Sequence, residues 1–169
     1  MIRTAVQSDV EAIAAVHVAS WRETYPGIMP QEILDGLSEV QRGDQWRRWF
    51  LPGRPLREAL IVCEDAGEVI GFASAVIPPE SSGAELLTLY LLRRAKGRGF
   101  GRRLFEDIAE RMRRHGATTL MCWLAAGNPT AGFYEHLGGV VVERRAEAFG
   151  SFTVEEIQYR WADISNLNG

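Results

Sequence analysis

Residues Leu86 to Phe105 constrain this chain more than any other stretch. Leu86 to Leu92 is an apolar run broken only by Thr88 and Tyr90, the composition of a buried strand. Gly97, Gly99 and Gly101 then alternate, which lets the backbone curl and approach another group closely. From Arg102 the pattern turns helical: Leu104, Phe105, Ile108, Ala109 and Met112 recur at spacings of three and four. Strand, glycine loop and helix start aim several backbone N–H groups at one point, and the helix dipole favours an anion there. Arg93, Arg94, Lys96, Arg98, Arg102 and Arg103 crowd the same segment. Guanidinium groups bind phosphate oxygens two at a time, so the expected ligand is a small polyanion. The alternative is a solvated basic helix start, although basic residues are disfavoured at a helix N-terminus.

Two common nucleotide patterns do not fit. A P-loop needs a Lys-Ser/Thr pair after its last glycine, and none follows here. A dinucleotide fold needs G-x-G-x-x-G after its first strand, whereas G-x-G-x-G stands here midway along the chain. The run Lys96-Gly97-Arg98-Gly99-Phe100-Gly101 instead resembles the (Gln/Arg)-x-x-Gly-x-(Gly/Ala) loop of the GNAT superfamily of acyl-CoA-dependent N-acyltransferases. It departs at Lys96, usually Gln or Arg in that family, and at Arg93, where many members have Pro. Neither change alters the backbone amides such a loop uses. The resemblance implies that Gly97, Arg98, Gly99, Phe100, Gly101 and Arg102 cradle the pyrophosphate of CoA. It also implies that backbone groups of Leu89, Tyr90 and Leu91 pair with the pantetheine arm.

A second constellation agrees. Asn128, Phe133, Tyr134, Leu137 and Gly138 stand in the order the family carries after its fifth main strand. The interval from Asn128 to Tyr134 is one residue shorter than in many members, and Gly139 replaces the usual aromatic. The resemblance implies an α/β fold: a mixed, mostly antiparallel sheet, parallel central strands that splay at the cofactor, and helices on both faces. It implies transfer of an acetyl group from acetyl-CoA to a primary amine, directly and in a ternary complex. The acceptor is then a small-molecule or peptide amine; members of the family are often dimers, which makes a homodimer one option and leaves the oligomeric state open.

The bulk properties are compatible. The 169 residues are expected to form one domain, 1–169, with a loose polar tail at 163–169. No apolar run reaches membrane-spanning length and no signal sequence opens the chain, so the expected compartment is the cytoplasm. Cys63 and Cys122 lie in strand-like runs and read as buried thiols; neither has a histidine at metal-ligand spacing, so no metal is expected. A net charge of −3 argues against a general nucleic-acid binder.

Reading the chain in order adds the rest. Ile2 to Ala5 is a strand, and Ser8 with Glu11 reads as a capping box for a helix carrying Val10, Ile13, Ala14 and His17. Trp21 to Gly27 is an aromatic loop. Helices are expected over 31–36 and 38–50, and a loop at Pro52 to Pro55. Strands at Ala59 to Glu64 and Glu68 to Val76 flank Asp65-Ala66-Gly67, a hairpin signal. The helix from Arg102 closes at Gly116. Thr118 to Ala125 is the next strand, Asn128-Pro129 starts a short helix, and Val140 to Arg145 and Phe152 to Trp161 are the last strands.

The chemistry assigns candidates. Acyl transfer expels the CoA thiolate, and a phenol at Tyr134 could protonate it; the other reading of Tyr134 is packing against the sheet. Asn128 is a candidate ligand for the pantetheine amides or a plain helix cap. Glu85, on the central strand, is the candidate base, with Glu23 and His17 in reserve. The resemblance makes Trp21, Glu23 and Tyr25 candidate acceptor contacts, because the first two helices wall that site in the family. Core packing is the other reading of the aromatics. Carboxylates at Glu23, Glu85 and Glu135 beside aromatic faces would favour a small cationic amine. Rival functions are a non-catalytic acyl-CoA-binding module and an RNA binder using Arg93 to Arg103.

Overall fold

In chain order the elements are β1 (Ile2–Thr4), α1 (Val10–Thr24), α2 (Gln31–Asp35), α3 (Glu39–Arg47), β2 (Glu58–Asp65), β3 (Glu68–Val76), β4 (Gly83–Leu91), α4 (Phe100–Arg114), β5 (Thr119–Ala125), α5 (Ala131–His136), β6 (Val140–Phe149) and β7 (Phe152–Trp161). They are those of a computed structural model that describes residues 1–53, 57–165 and 167. The end of the loop read at Pro52 to Pro55 therefore lies outside the described residues. The strands form one sheet in the order β1-β2-β3-β4-β5-β7-β6. Among the described residues every neighbouring pair is antiparallel except β4 with β5. No described helix is long and apolar enough to cross a membrane.

Side-chain alternation along the strands decides what covers each face. Leu60, Val62 and Phe72 pack with Val10, Ile13 and Val16 of α1 and Trp46 of α3. Their neighbours Ile61, Cys63 and Ala73 point the other way, into a core with Leu104, Phe105, Ile108 and Met112 of α4. Each of those large side chains contributes about 1.5–3 kcal/mol by leaving water. Tyr134 of α5 joins the same core, so α4 and α5 share one face and α1 and α3 the other. The β2–β3 turn has Ala66 and Gly67 at φ 51° and 82°, the paired left-handed residues that a two-residue hairpin needs.

Three local readings are corrected. The N-cap of α1 is Asp9, not Ser8. The Asp9 carboxylate accepts the Val6 N–H at 2.8 Å and the Arg3 guanidinium at 2.7 and 2.8 Å, so that carboxylate closes the 3₁₀ turn Gln7–Asp9 and no reciprocal box forms. The last helix starts at Ala131, because the Asn128 side chain accepts the Thr130 N–H and holds a turn there first. Within the tail 163–169, Ile164 is buried and its N–H donates to Thr118 O at 3.1 Å, so the chain is anchored there; residues 166, 168 and 169 lie outside the described set.

The middle of the sheet positions the site. β4 pairs with β5 only from Gly83↔Thr119 to Glu85↔Met121, although β4 runs on to Leu91 and β5 to Ala125. Beyond Glu85 the two strands part. On the other side of β4 the register steps from Ala75↔Leu86 to Ser74↔Thr88, which makes Leu87 an inserted residue. Such a bulge bends its strand and exchanges its faces. Ala84 and Leu86 join the α4 core before the bulge, and Leu89 and Leu91 join it after.

Candidate active site

The parted strands leave a cleft of about 690 Å³. β4 contributes Leu86 to Leu91, β5 contributes Cys122 to Leu124, and the loop before α4 contributes Lys96, Gly97, Gly99, Gly101 and Arg102. Asn128, Thr130, Phe133, Tyr134 and His136 come from the α5 region, and Ser20, Thr24 and Tyr25 from α1.

The β4 edge facing the cleft has unspent backbone groups. Leu92 N–H donates to Ile70 O at 3.0 Å on the β3 side. Backbone directions alternate along an antiparallel ladder, so Tyr90 also turns to β3 while the amides and carbonyls of Leu89 and Leu91 face the cleft.

The glycine loop has the same property. Gly97 and Gly99 take φ of 74° and 79°, and Gly99 is the N-cap of α4. Among the described residues, no amide from Gly97 to Arg102 donates to a backbone carbonyl. A Cβ at Gly97 or Gly99 would meet nothing within 4 Å, so a ligand can approach the backbone there. The basic residues are only partly available. Arg98 pairs with Asp65 at 2.8 Å, Arg102 with Glu106 at 2.6 Å, and Arg94 with Glu68. Lys96 makes no ion pair among the described residues. Oriented amides, more than a field of free guanidinium groups, are thus what the loop offers an anion.

Tyr134 is buried, with Phe133, Tyr159 and Trp161 around its ring. Burial pushes its hydroxyl pKa well up, helped by the nearby Cys122 and Tyr90, so the phenol keeps its proton. The Trp161 N–H donates to Leu137 O at 2.8 Å, and the indole fills the space a Cβ at Gly139 would need. That gives a local reason for glycine where the family pattern has an aromatic. Asn128 is buried, and its Oδ1 is taken by the Thr130 N–H and hydroxyl at 2.9 and 2.7 Å. Its amide group is left for the Tyr25 hydroxyl nearby. Cys122 is a free thiol that burial, and then Glu85, push up to about 12.

The other candidates are placed differently. Glu85 is half-buried beside Arg145 and Glu156 and does not line the cleft; burial raises its pKa. Glu23 accepts the Arg93 N–H at 2.8 Å, and its carbonyl accepts from the Arg93 guanidinium at 3.1 Å. Glu135 accepts from the Tyr159 hydroxyl at 2.8 Å. The three carboxylates expected to gather around a cation are thus dispersed. Trp21 is buried behind the cleft wall, against Tyr25 and under the Arg42 guanidinium. His17 stacks on Tyr90, its Nδ1 accepts the Trp46 N–H at 3.1 Å, and burial lowers its pKa to about 3. Sequence reasoning missed Ser20, Thr24 and Thr88 as lining residues. The stripe of α1, extended at its own spacing from Ile13 and His17, reaches Ser20 and Thr24.

The profile of the Acetyltransferase (GNAT) family matches residues 15–139. The chain is 32% identical to the uncharacterized N-acetyltransferase YuaI of Bacillus subtilis, over 98% of this chain and 95% of that protein. Its fold is similar to that of the PaiA N-acetyltransferase of Thermoplasma acidophilum in complex with coenzyme A, with a TM-score of 0.74 and 19% identity over 95% of this chain and 98% of that one. It is also similar to yncA of Salmonella typhimurium, solved with acetyl-CoA, with a TM-score of 0.72 and 19% identity over 96% and 94% of the two chains. These structures establish the fold; the family match and the Bacillus relative, both spanning the cleft, establish that this chain is an N-acetyltransferase of the GNAT family.

Proposed function

We propose that the chain moves an acetyl group from acetyl-CoA to a primary amine, directly, within a ternary complex. The observation that carries this reading is the convergence on one cleft of three unspent features: the amides of residues 97–102, the open edge of β4, and the protonated Tyr134 phenol. Bound acetyl-CoA would supply an activated acetyl group on a thiolate leaving group. The amides of Gly97 to Arg102, with the dipole of α4, hold the pyrophosphate. The backbone of Leu89 and Leu91 pairs with the pantetheine amides, as a third strand would, and Asn128 adds its side-chain amide.

Tyr134 acts as the general acid that donates its proton to the departing sulfur. Glu85 is the proposed base, reached through water because it stands outside the cleft wall; its raised pKa suits proton acceptance near neutrality better than an ordinary carboxylate would. Cys122 lines the cleft, but a thiol pushed to about 12 supplies almost no thiolate, which favours direct transfer over an acetyl-enzyme. Tyr25 contacts the acceptor. Trp21 and Glu23 support that wall from behind, Trp21 through Tyr90 and Glu23 through Arg93.

Initial rates with both substrates varied test this reading. Intersecting double-reciprocal lines are expected. Parallel lines, with acetyl-enzyme trapped in the absence of amine, would contradict direct transfer.

A further inference from the structure

Ser20 stands on the sheet-facing stripe of α1, is 2% exposed and lines the cleft with Thr24 one turn away. Among the described residues its Oγ is the buried side-chain polar atom with no hydrogen-bond partner. A buried hydroxyl left unpaired is costly, so such a group calls for an explanation. Three neighbouring polar side chains of the cleft are engaged. Thr88 bonds Ser74 at 2.6 Å, the Tyr90 hydroxyl accepts from Trp21 at 2.9 Å, and Asn128 Oδ1 takes two bonds from Thr130.

We infer that Ser20 Oγ accepts a hydrogen bond from the nitrogen of the incoming primary amine and orients it for attack. The inference rests on the acetyl-transfer reading and adds the group that holds the acceptor. Two arguments assign Ser20 to the amine instead of the cofactor. First, the glycine loop and Tyr134 lie on the α4–α5 face of the sheet, whereas Ser20 reaches the cleft from the α1 face. Two substrates that meet between parted strands approach from opposite faces. Second, the chemistry suits a neutral amine. A carboxylate would stabilise the ammonium, which has no lone pair. A hydroxyl accepts one N–H and leaves the lone pair free.

The test uses two CoA thioethers that span both subsites. One carries –S–CH₂–C(O)–NH–CH₃, which has an N–H where the acceptor nitrogen sits. The other carries –S–CH₂–C(O)–N(CH₃)₂, which has none. Affinities are measured by calorimetry for the wild type and Ser20→Ala. The wild type should prefer the N–H compound by roughly tenfold, the value of one well-placed hydrogen bond, and Ser20→Ala should bind both alike. Ser20→Ala should also melt at or above the wild-type temperature, because it removes an unpaired buried hydroxyl. A preference that survives in Ser20→Ala, or is missing in the wild type, overturns the inference, as does a lower melting temperature, which would mean that the fold itself uses the hydroxyl. Binding of neither compound, nor of CoA, to the wild type would instead overturn the acetyl-transfer reading beneath it.

Discussion

The indole N–H of Trp21 donates to the Tyr90 hydroxyl across 2.9 Å, tying the end of α1 to the strand that edges the cleft. Tyr90 is further held by the stacked ring of His17 at 5.0 Å and by Phe72 at 5.6 Å. Trp21→Phe keeps most of the ring and leaves that bond unmade. Stability should fall by about 1–3 kcal/mol, seen as a melting point roughly 2–10 °C lower, while CoA affinity stays as it was. An unchanged melting point would show that the link adds nothing to the fold.

Gly99→Val tests the loop. The residue must take φ of 79°, which costs a side chain roughly 1–2 kcal/mol. Its Cβ would touch no protein atom within 4 Å, so steric loss falls on the ligand. CoA affinity should drop by about a hundredfold, or ~2.7 kcal/mol. Gly116→Val is the matched control: it has φ of 91°, equally open space and a place at the far end of α4. It should lose similar stability and keep its CoA affinity. Equal CoA binding by both folded variants would remove the loop assignment.

Tyr134→Phe deletes the proposed acid and keeps the packed ring. The maximal rate should fall on the order of a hundredfold with little change in acetyl-CoA affinity. Because the phenol pKa is raised, no loss of activity up to about pH 9 should trace to this residue. Rate and affinity falling together would mean that the hydroxyl serves binding.

His17 gives a pH dependence of stability. Its folded pKa is lowered to about 3, against about 6.5 in the unfolded chain. Below pH 6.5 the unfolded state takes a proton that the folded state refuses, so stability falls as pH falls through that window, by up to about 1.4 kcal/mol per unit. His17→Gln keeps an acceptor for Trp46 and does not titrate there, and should flatten that slope. Imidazole nitrogen spectra should show His17 neutral from pH 5 to 8. A midpoint near 6.5 would contradict the burial argument.

The strand, glycine loop and helix at Leu86 to Phe105 were legible because period, glycine spacing and charge all change at once there. Leu87 was not. β4 is apolar on both faces, so no alternation exists to reveal an inserted residue. β6 was read only to Arg145 but runs to Phe149; its charged residues are paired across the ladder, Arg144 with Glu155 and Arg145 with Glu156, and do not mark a loop. Motif residues place the glycine loop, Asn128 and Tyr134 at the cleft. The partners of Glu23 and Trp21 depend on contacts far along the chain, which no local pattern encodes.

The most direct measurement is release of free CoA from acetyl-CoA across a panel of primary amines, with the product analysed by mass. The expected result is amine-dependent thiol release, matched one for one by an amine that has gained an acetyl group. Saturable binding of acetyl-CoA with no amine-dependent thiol release from any member of a broad panel would contradict the account.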